Sequence, residues 1–190
     1  MGFPDRHYLF RVPGGVGPVN AMVNPGPKIG LQIPPRSRVL APFSSVLAID
    51  PGAKSGWALS RDQVIVAAGL VRLDRGDRVR LFTDLTEVWC ELPQWQCGDT
   101  PARINDLFTT ARRAGALVVQ ACPGWDPENV HWIAPHAWKG SVDKAVHNER
   151  VRKRLAAGEL LLLQDIPQTL VNNVLDAIGL NMYATGRYRP

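Results

Sequence analysis

Three acidic residues, spread over most of the chain, have neighbours typical of carboxylates that do chemistry. Asp50 directly follows an apolar run at residues 46–49, and so short an unbroken run predicts a strand covered on both faces. Glu91 stands near the end of a second β-like run at 87–93, and Asp176 falls inside an apolar helical pattern near the C-terminus. A helix packed across two neighbouring parallel strands would bring the three carboxylates together.

Clustered carboxylates predict a divalent metal centre, because they repel one another unless a cation neutralises them. Hard oxygen ligands suit Mg²⁺, and Mn²⁺ is expected to substitute for it. Two such ions about 4 Å apart activate a water and stabilise the leaving oxygen in phosphodiester cleavage. Taken alone, however, Asp50-Pro51-Gly52 is equally typical of an ordinary turn.

The elements that would position these acids follow from the apolar pattern. Strands are predicted at 46–49, 56–60, 63–73, 87–93 and 130–134, with the second and third antiparallel and joined by a turn at 61–62. Thr100-Pro101 predicts a helix start, with Ile104, Leu107, Phe108 and Ala111 on its apolar face. Further helices are expected at 144–157, ending at Gly158, and at 169–185. In the last of these, Asn173 and Asp176 are spaced to share a face.

The order of these motifs resembles the RuvC-like Holliday-junction resolvases of the ribonuclease H-like superfamily. Ile-Asp-Pro-Gly at 49–52, with Gly56 following, is similar to that family's first strand and turn. Residues 88–94 resemble the strand that carries its second acid, and residues 173–179 resemble its closing helix. Pro-His-Ala-Trp-Lys-Gly at 135–140, followed by Lys144 and His147, resembles a segment of phage-type relatives.

This resemblance implies an α/β fold with a ribonuclease H-like five-stranded mixed sheet, three antiparallel strands first, flanked by helices. It also implies a homodimer that nicks branched DNA in two symmetric places, with Asp50, Glu91 and Asp176 binding two Mg²⁺ ions. The chain departs from the family at Asn173, where an acid or histidine is usual. An amide oxygen can bind a metal but carries no charge, so Asn173 is expected to be a weak ligand.

Five basic residues near the resembling segment are candidate contacts to a nucleic acid. They are Lys139, Lys144, His147, Arg150 and Arg154. Positive side chains there suit a phosphate backbone, but solvated surface lysines and arginines and an ordinary helix-surface histidine are the competing interpretations.

The chain as a whole has a net charge of +5. Residues 1–43 contain many prolines and glycines and several arginines, which predicts an extended basic arm ahead of a nuclease domain at 44–190. Such an arm suits a polyanionic partner, although solubility alone would explain it. Three cysteines without metal-site spacing, no long apolar run and no signal peptide predict free thiols in a cytoplasmic protein, in the host cytoplasm if it is viral.

These observations predict a Mg²⁺-dependent, structure-selective endodeoxyribonuclease of the junction-resolving type. The alternative is a DNA-binding protein that keeps the fold but has lost efficient cleavage, which Asn173 favours. A kinase-type phosphate loop at 50–56 is disfavoured, because that class needs a second copy of the fold and a longer chain.

Overall fold

The computed structural model describes residues 44–77, 82–94 and 100–189. Their centre is a five-stranded sheet in the order β3-β2-β1-β4-β5. The strands are β1 (Ser45–Asp50), β2 (Ser55–Arg61), β3 (Val64–Val71), β4 (Glu87–Glu91) and β5 (His131–Ile133). The first three are antiparallel, and β4 and β5 run parallel to β1. This strand order confirms the predicted five-stranded mixed sheet with three antiparallel strands first.

Within the described residues, five helices flank the sheet. They are α1 (Pro101–Ala121), α2 (Pro135–Lys139), α3 (Lys144–Arg152), α4 (Ala157–Leu160) and α5 (Val171–Ala184), with short 3₁₀ turns at Leu73–Arg75, Pro127–Asn129 and Leu161–Leu163. None of the helices in this part of the chain is long and apolar enough to cross a membrane.

Alternation along β1 separates two apolar layers, because successive side chains of a strand point to opposite faces. Leu47 and Ile49 pack with the end of α1, whereas Val46 and Ala48 pack with Trp138 of α2 and Leu180 of α5. The same period places Asp50 on the face that carries α2 and α5.

Asn181 fixes helix α5 against the middle of the sheet. Its buried amide nitrogen donates to the carbonyl oxygens of Val46, at 2.8 Å, and of Ala58, at 3.2 Å. These two bonds set both the position and the rotation of α5, and therefore the direction in which its other side chains point.

Two local predictions need correction. The turn between β2 and β3 lies at Asp62 and Gln63, which both have positive φ, one residue later than expected. Helix α3 ends at Arg152, and Gly158 lies inside the separate helix α4 rather than ending a longer one.

The predicted apolar face of α1 is wrong for its first half. Phe108 is 72% exposed, and Ile104, Leu107 and Ala111 are only partly buried. The buried residues of this helix are Ala114, Leu117, Val118 and Ala121. Helical spacing predicted the apolar stripe, but only the second half of the helix packs on the sheet.

The two cysteines within the described residues, Cys90 and Cys122, are buried free thiols, as predicted. The predicted basic arm at 1–43 and the third cysteine, Cys97, lie outside the described residues.

Candidate active site

Two of the predicted acids lie side by side at the carboxyl ends of parallel strands. In the register of β1 and β4, Ile49 is opposite Cys90, so the next residues, Asp50 and Glu91, are opposite each other. Neighbouring strands are about 4.8 Å apart. Glu91 shares the face of Trp89, which packs with α2 and α5, and both carboxylates therefore lie on the face that those helices cover.

Gly56 allows α5 to approach the strand ends. It pairs with Asp50 across the β1–β2 ladder, and its Cα faces the main chain of the first turn of α5. A Cβ at this position would lie 2.0 Å from the carbonyl oxygen of Asn173. One turn along the helix, Asp176 is 3% exposed. A side chain at residue 56 would therefore collide with the helix that carries Asp176.

The electrostatics show that the three acids interact. Burial raises the pKa of Asp50 well above its usual value, and the negative charges of Glu91 and Asp176 raise it further. Burial also raises the pKa of Glu91, although Lys139 opposes this effect. Removing carboxylates from water and placing like charges together both disfavour the ionised form. The cluster consequently requires positive charge.

Two lysines supply such charge to the acids. The ammonium of Lys139 lies 3.1 Å from Oε2 of Glu91, and that of Lys144 lies 2.7 Å from Oδ2 of Asp176. Burial by itself lowers the pKa of Lys144, but its hydrogen bond to Asp176 and the nearby acids outweigh burial and raise it. Each lysine therefore neutralises one carboxylate.

Trp138 is a site residue that the sequence did not reveal. Its side chain is fully buried, yet its indole N–H donates to Oε2 of Glu91 at 2.9 Å. The tryptophan beside Lys139 predicted a packing anchor, which it is, but nothing in the sequence indicated that it also holds an acid.

The donor set fits divalent ions in its chemistry. Asp50, Glu91 and Asp176 offer hard oxygen ligands on one face of the sheet, and Oδ1 of Asp176 is buried without a hydrogen-bond partner among the described residues. In this arrangement, no three His, Cys, Asp or Glu side chains within residues 44–77, 82–94 and 100–189 are grouped as one ion requires. The lysines hold Glu91 and Asp176 instead.

Asn173, the predicted weak metal ligand, has a different partner. Its side-chain nitrogen donates to the carbonyl oxygen of Lys54 at 2.8 Å, which joins the β1–β2 loop to the start of α5. Its amide oxygen is not part of that bond.

The predicted surface position of His147 is wrong. Its side chain is fully buried under α5, where Nδ1 lies 3.0 Å from the hydroxyl of Tyr188. A buried ring cannot contact a nucleic acid directly. Arg150 on α3 is exposed, as is Arg154 just beyond the end of that helix. Arg154 lies over the ring of Tyr188, with its guanidinium carbon 4.9 Å from the ring centre.

No protein-family model matches the chain, and no curated protein matches it. The solved structures that are similar to it include two of RuvC. One is T. thermophilus RuvC in complex with Holliday junction substrate, at 19% identity and a TM-score of 0.44, covering 74% of this chain and 94% of that one. The other is a Thermus thermophilus RuvC structure, at 16% identity and a TM-score of 0.40, covering 74% and 95%.

Proposed function

We propose that the chain is a Mg²⁺-dependent endonuclease that cleaves phosphodiester bonds in branched DNA. The observation that supports this proposal is that Asp50 and Glu91 lie opposite each other at two strand ends. The charge of Asp176 from α5 also acts on Asp50, and two lysines neutralise Glu91 and Asp176. Acids so arranged are costly for a purely structural role, because burial and mutual repulsion oppose their ionisation. They suit a site that receives cations and a phosphate.

Under this proposal, Asp50, Glu91 and Asp176 hold two Mg²⁺ ions, for which Mn²⁺ would substitute. When bound, the ions supply activation of the attacking water and stabilisation of the leaving oxygen. Asn173 contributes at most a neutral oxygen.

Lys139 and Lys144 are also proposed to contact the backbone phosphate of the substrate. Each is paired with an acid in the structure, and each ammonium would be free to contact a backbone phosphate if that acid bound a metal ion instead. Lysine is a suitable phosphate contact because its charge is compact and its side chain flexible. The exposed residues Arg150, on α3, and Arg154, just beyond its end, add further positive charge.

Branched DNA and a homodimer are the finer parts of the proposal. They are supported by the order of sequence motifs and by the net positive charge, which favours a polyanionic partner. Sedimentation equilibrium of the full chain tests the dimer, and a monomer at all concentrations used for cleavage would overturn that part.

The deciding experiment is a cleavage panel. Four-way junction, flap, nicked duplex and RNA–DNA hybrid are incubated with Mg²⁺, with Mn²⁺ and with EDTA, using the wild-type chain and Asp50→Asn. Nicking of the junction that requires the metal and is lost in the variant is the expected result. Nicking that survives Asp50→Asn would overturn the assignment of the site.

A second candidate function is DNA binding without efficient cleavage. Asn173 favours it, because an uncharged residue that is hydrogen-bonded to the β1–β2 loop leaves the site with three carboxylates. In that case the junction is bound but is not nicked with either metal, and binding survives Asp50→Asn.

A further inference from the structure

A buried histidine faces the inner side of Asp176, away from Lys144. Nε2 of His147 lies 3.8 Å from Oδ1 of Asp176, and both atoms are shielded from solvent without a hydrogen-bond partner among the described residues. Unpaired buried polar atoms are costly. One of these two atoms belongs to Asp176, itself a proposed metal ligand, so a role for the pair must be sought at that carboxylate.

Three neighbouring residues enclose the side chain of His147. Gly179 of α5 makes room for it, since a Cβ at that residue would lie 3.0 Å from Nε2. The edge of the Trp138 ring packs against the imidazole, with ring centres 5.0 Å apart. On the far side, the hydroxyl of Tyr188 lies 3.0 Å from Nδ1.

Tyr188 is itself fixed by the C-terminal segment. It is 1% exposed, and its backbone N–H donates to the carbonyl oxygen of Met182. The preceding residue, Arg187, forms a hydrogen-bonded ion pair with the buried Glu159. The hydroxyl of Tyr188 therefore has a defined position from which to bind the imidazole.

The position of the imidazole proton follows from these contacts. With the proton on Nδ1, the lone pair of Nε2 would face a carboxylate oxygen in a dry environment, and two acceptors so placed repel each other. With the tyrosine hydroxyl donating to Nδ1, the proton lies on Nε2 and points toward Asp176.

We infer that Tyr188 and His147 are positioning residues that hold Asp176 for its cations: Tyr188 donates to Nδ1, which keeps a proton on Nε2 to bind the inner carboxylate oxygen. A movement of the carboxylate by about 0.8 Å turns the 3.8 Å contact into an ordinary N–H···O bond. If Lys144 released Asp176, His147 would still hold the inner carboxylate oxygen, Oδ1. The outer oxygen, Oδ2, would then face the site. This role rests on the proposed metal-dependent function, but the location of the proton does not.

The variants separate a packing role of His147 from a hydrogen-bonding role, because each role predicts a different order of Mg²⁺ affinity among them. His147→Gln keeps a donor that can reach Asp176, whereas His147→Met keeps a similar volume without one. Tyr188→Phe removes only the hydroxyl. Thr185→Val is the matched control, because it removes another buried hydroxyl near the end of α5, one that binds the carbonyl of Asn181.

The first measurement is ¹⁵N NMR of the imidazoles in the full chain, with the His147 signal identified by its loss in His147→Gln. A proton on Nε2 in the wild type is the expected result. A proton on Nδ1 overturns the inference, whatever the protein proves to do.

The second measurement is the thermal shift produced by increasing Mg²⁺. We expect the midpoint Mg²⁺ concentration to rise about 10-fold or more in His147→Met, as loss of groups that orient metal ligands usually causes. His147→Gln and Thr185→Val should stay near the wild type, and Tyr188→Phe should fall between. Equal midpoints for the Gln and Met variants would overturn the positioning role. If Mg²⁺ does not shift the wild type at all, the proposed function fails, and the NMR result alone decides whether the tautomer is right.

Discussion

At the scale of single residues, the placement of the three acids opposes the folding of the chain. Asp50 is partly buried next to Glu91 and Asp176, and burial and those charges raise its pKa. A carboxyl group whose pKa is higher in the folded than in the unfolded state stabilises the fold at low pH. That contribution is lost as the pH rises through the folded-state pKa. At neutral pH, Asp50 therefore weakens the protein.

We accordingly predict that Asp50→Asn, although inactive, is more stable than the wild type at neutral pH without metal. An increase in Tm of roughly 2–4 °C is expected, which is what about 1 kcal/mol gives in a chain of this size. The increase should shrink as the pH falls and the wild-type carboxyl becomes protonated. Differential scanning calorimetry over a pH series measures it.

The control for this prediction is Asp165→Asn, which neutralises an exposed aspartate away from the site. It should change Tm little at any of these pH values. An Asp50→Asn protein that melts below the wild type at neutral pH would mean that the carboxylate makes a favourable interaction that the structure does not contain.

Lys144 gives a second prediction at this scale. Its ammonium neutralises Asp176 at 2.7 Å, but its side chain is 57% exposed, so the pair should contribute only about 0.5–1 kcal/mol. Lys144→Ala should lower the metal-free Tm slightly and should let Mg²⁺ stabilise the protein at lower concentration, because a competing cation is gone. A Mg²⁺ titration followed by Tm tests this.

Lys153→Ala is the matched variant, because Lys153 pairs with Glu149 one turn earlier on the exposed side of α3. Its Mg²⁺ titration should match that of the wild type. If Lys144→Ala requires more Mg²⁺ than the wild type, then the lysine does not compete with the metal for Asp176.

At the scale of elements, the contact between β2 and α5 positions the third acid. Gly56 and Gly52 lie in the same strand–loop–strand segment, but the space available for an added Cβ differs greatly between the two positions. At Gly56 it would lie 2.0 Å from the Asn173 carbonyl oxygen, whereas at Gly52 the nearest atom is 3.6 Å away. The first is a clash with main chain, which cannot rotate away, and the second is ordinary contact.

Gly56→Ala should therefore destabilise the chain by about 1–3 kcal/mol or more, as overpacking of a close contact does, and should abolish metal-dependent nicking. Gly52→Ala should leave both nearly unchanged. Urea denaturation gives the free energies of unfolding of the two variants. Equal stabilities would show that α5 can move away from the strand without cost.

The elements themselves were largely predictable, because each strand is a short apolar run with a clear end. Residues 46–49 and 87–93 predicted the strands that carry Asp50 and Glu91, and the last helix was placed within two residues of its observed start. The side-chain contacts between different elements were less predictable. The burial of His147, the exposure of Phe108 and the bond from Trp138 to Glu91 depend on how helices meet the sheet, and local spacing does not contain that information.

At the scale of the whole molecule, one buried ion pair joins segments that are far apart in the chain. The carboxylate of Glu159 binds Arg187 from the C-terminal segment and accepts the backbone N–H groups of Ile65 and Ala156, each at 2.8 Å. Arg187 also donates to the carbonyl oxygen of Gln63 at 2.7 Å. These bonds hold together the β2–β3 hairpin, the start of α4 and the segment that carries Tyr188.

The titration of this carboxyl gives the last prediction. Burial alone would raise the pKa of Glu159, but the bonds from Arg187 and from the two amides outweigh it and lower the pKa from 4.5 to about 2. A lowered carboxyl pKa contributes stability above the unfolded-state value, and that stability is lost as the pH falls toward the folded-state value.

Glu159→Gln should consequently cost about 2 kcal/mol at neutral pH, somewhat less than the full pKa difference implies, because the amide keeps some of the bonds. The stability difference from the wild type should narrow steadily as the pH falls below about 4.5, the unfolded-state value. Urea denaturation at several pH values measures it, with Glu149→Gln as the exposed control. Because Arg187 adjoins Tyr188, the same variant should also loosen the contact between Tyr188 and His147 and raise the midpoint Mg²⁺ concentration. An ion pair with only a local effect would leave that midpoint unchanged.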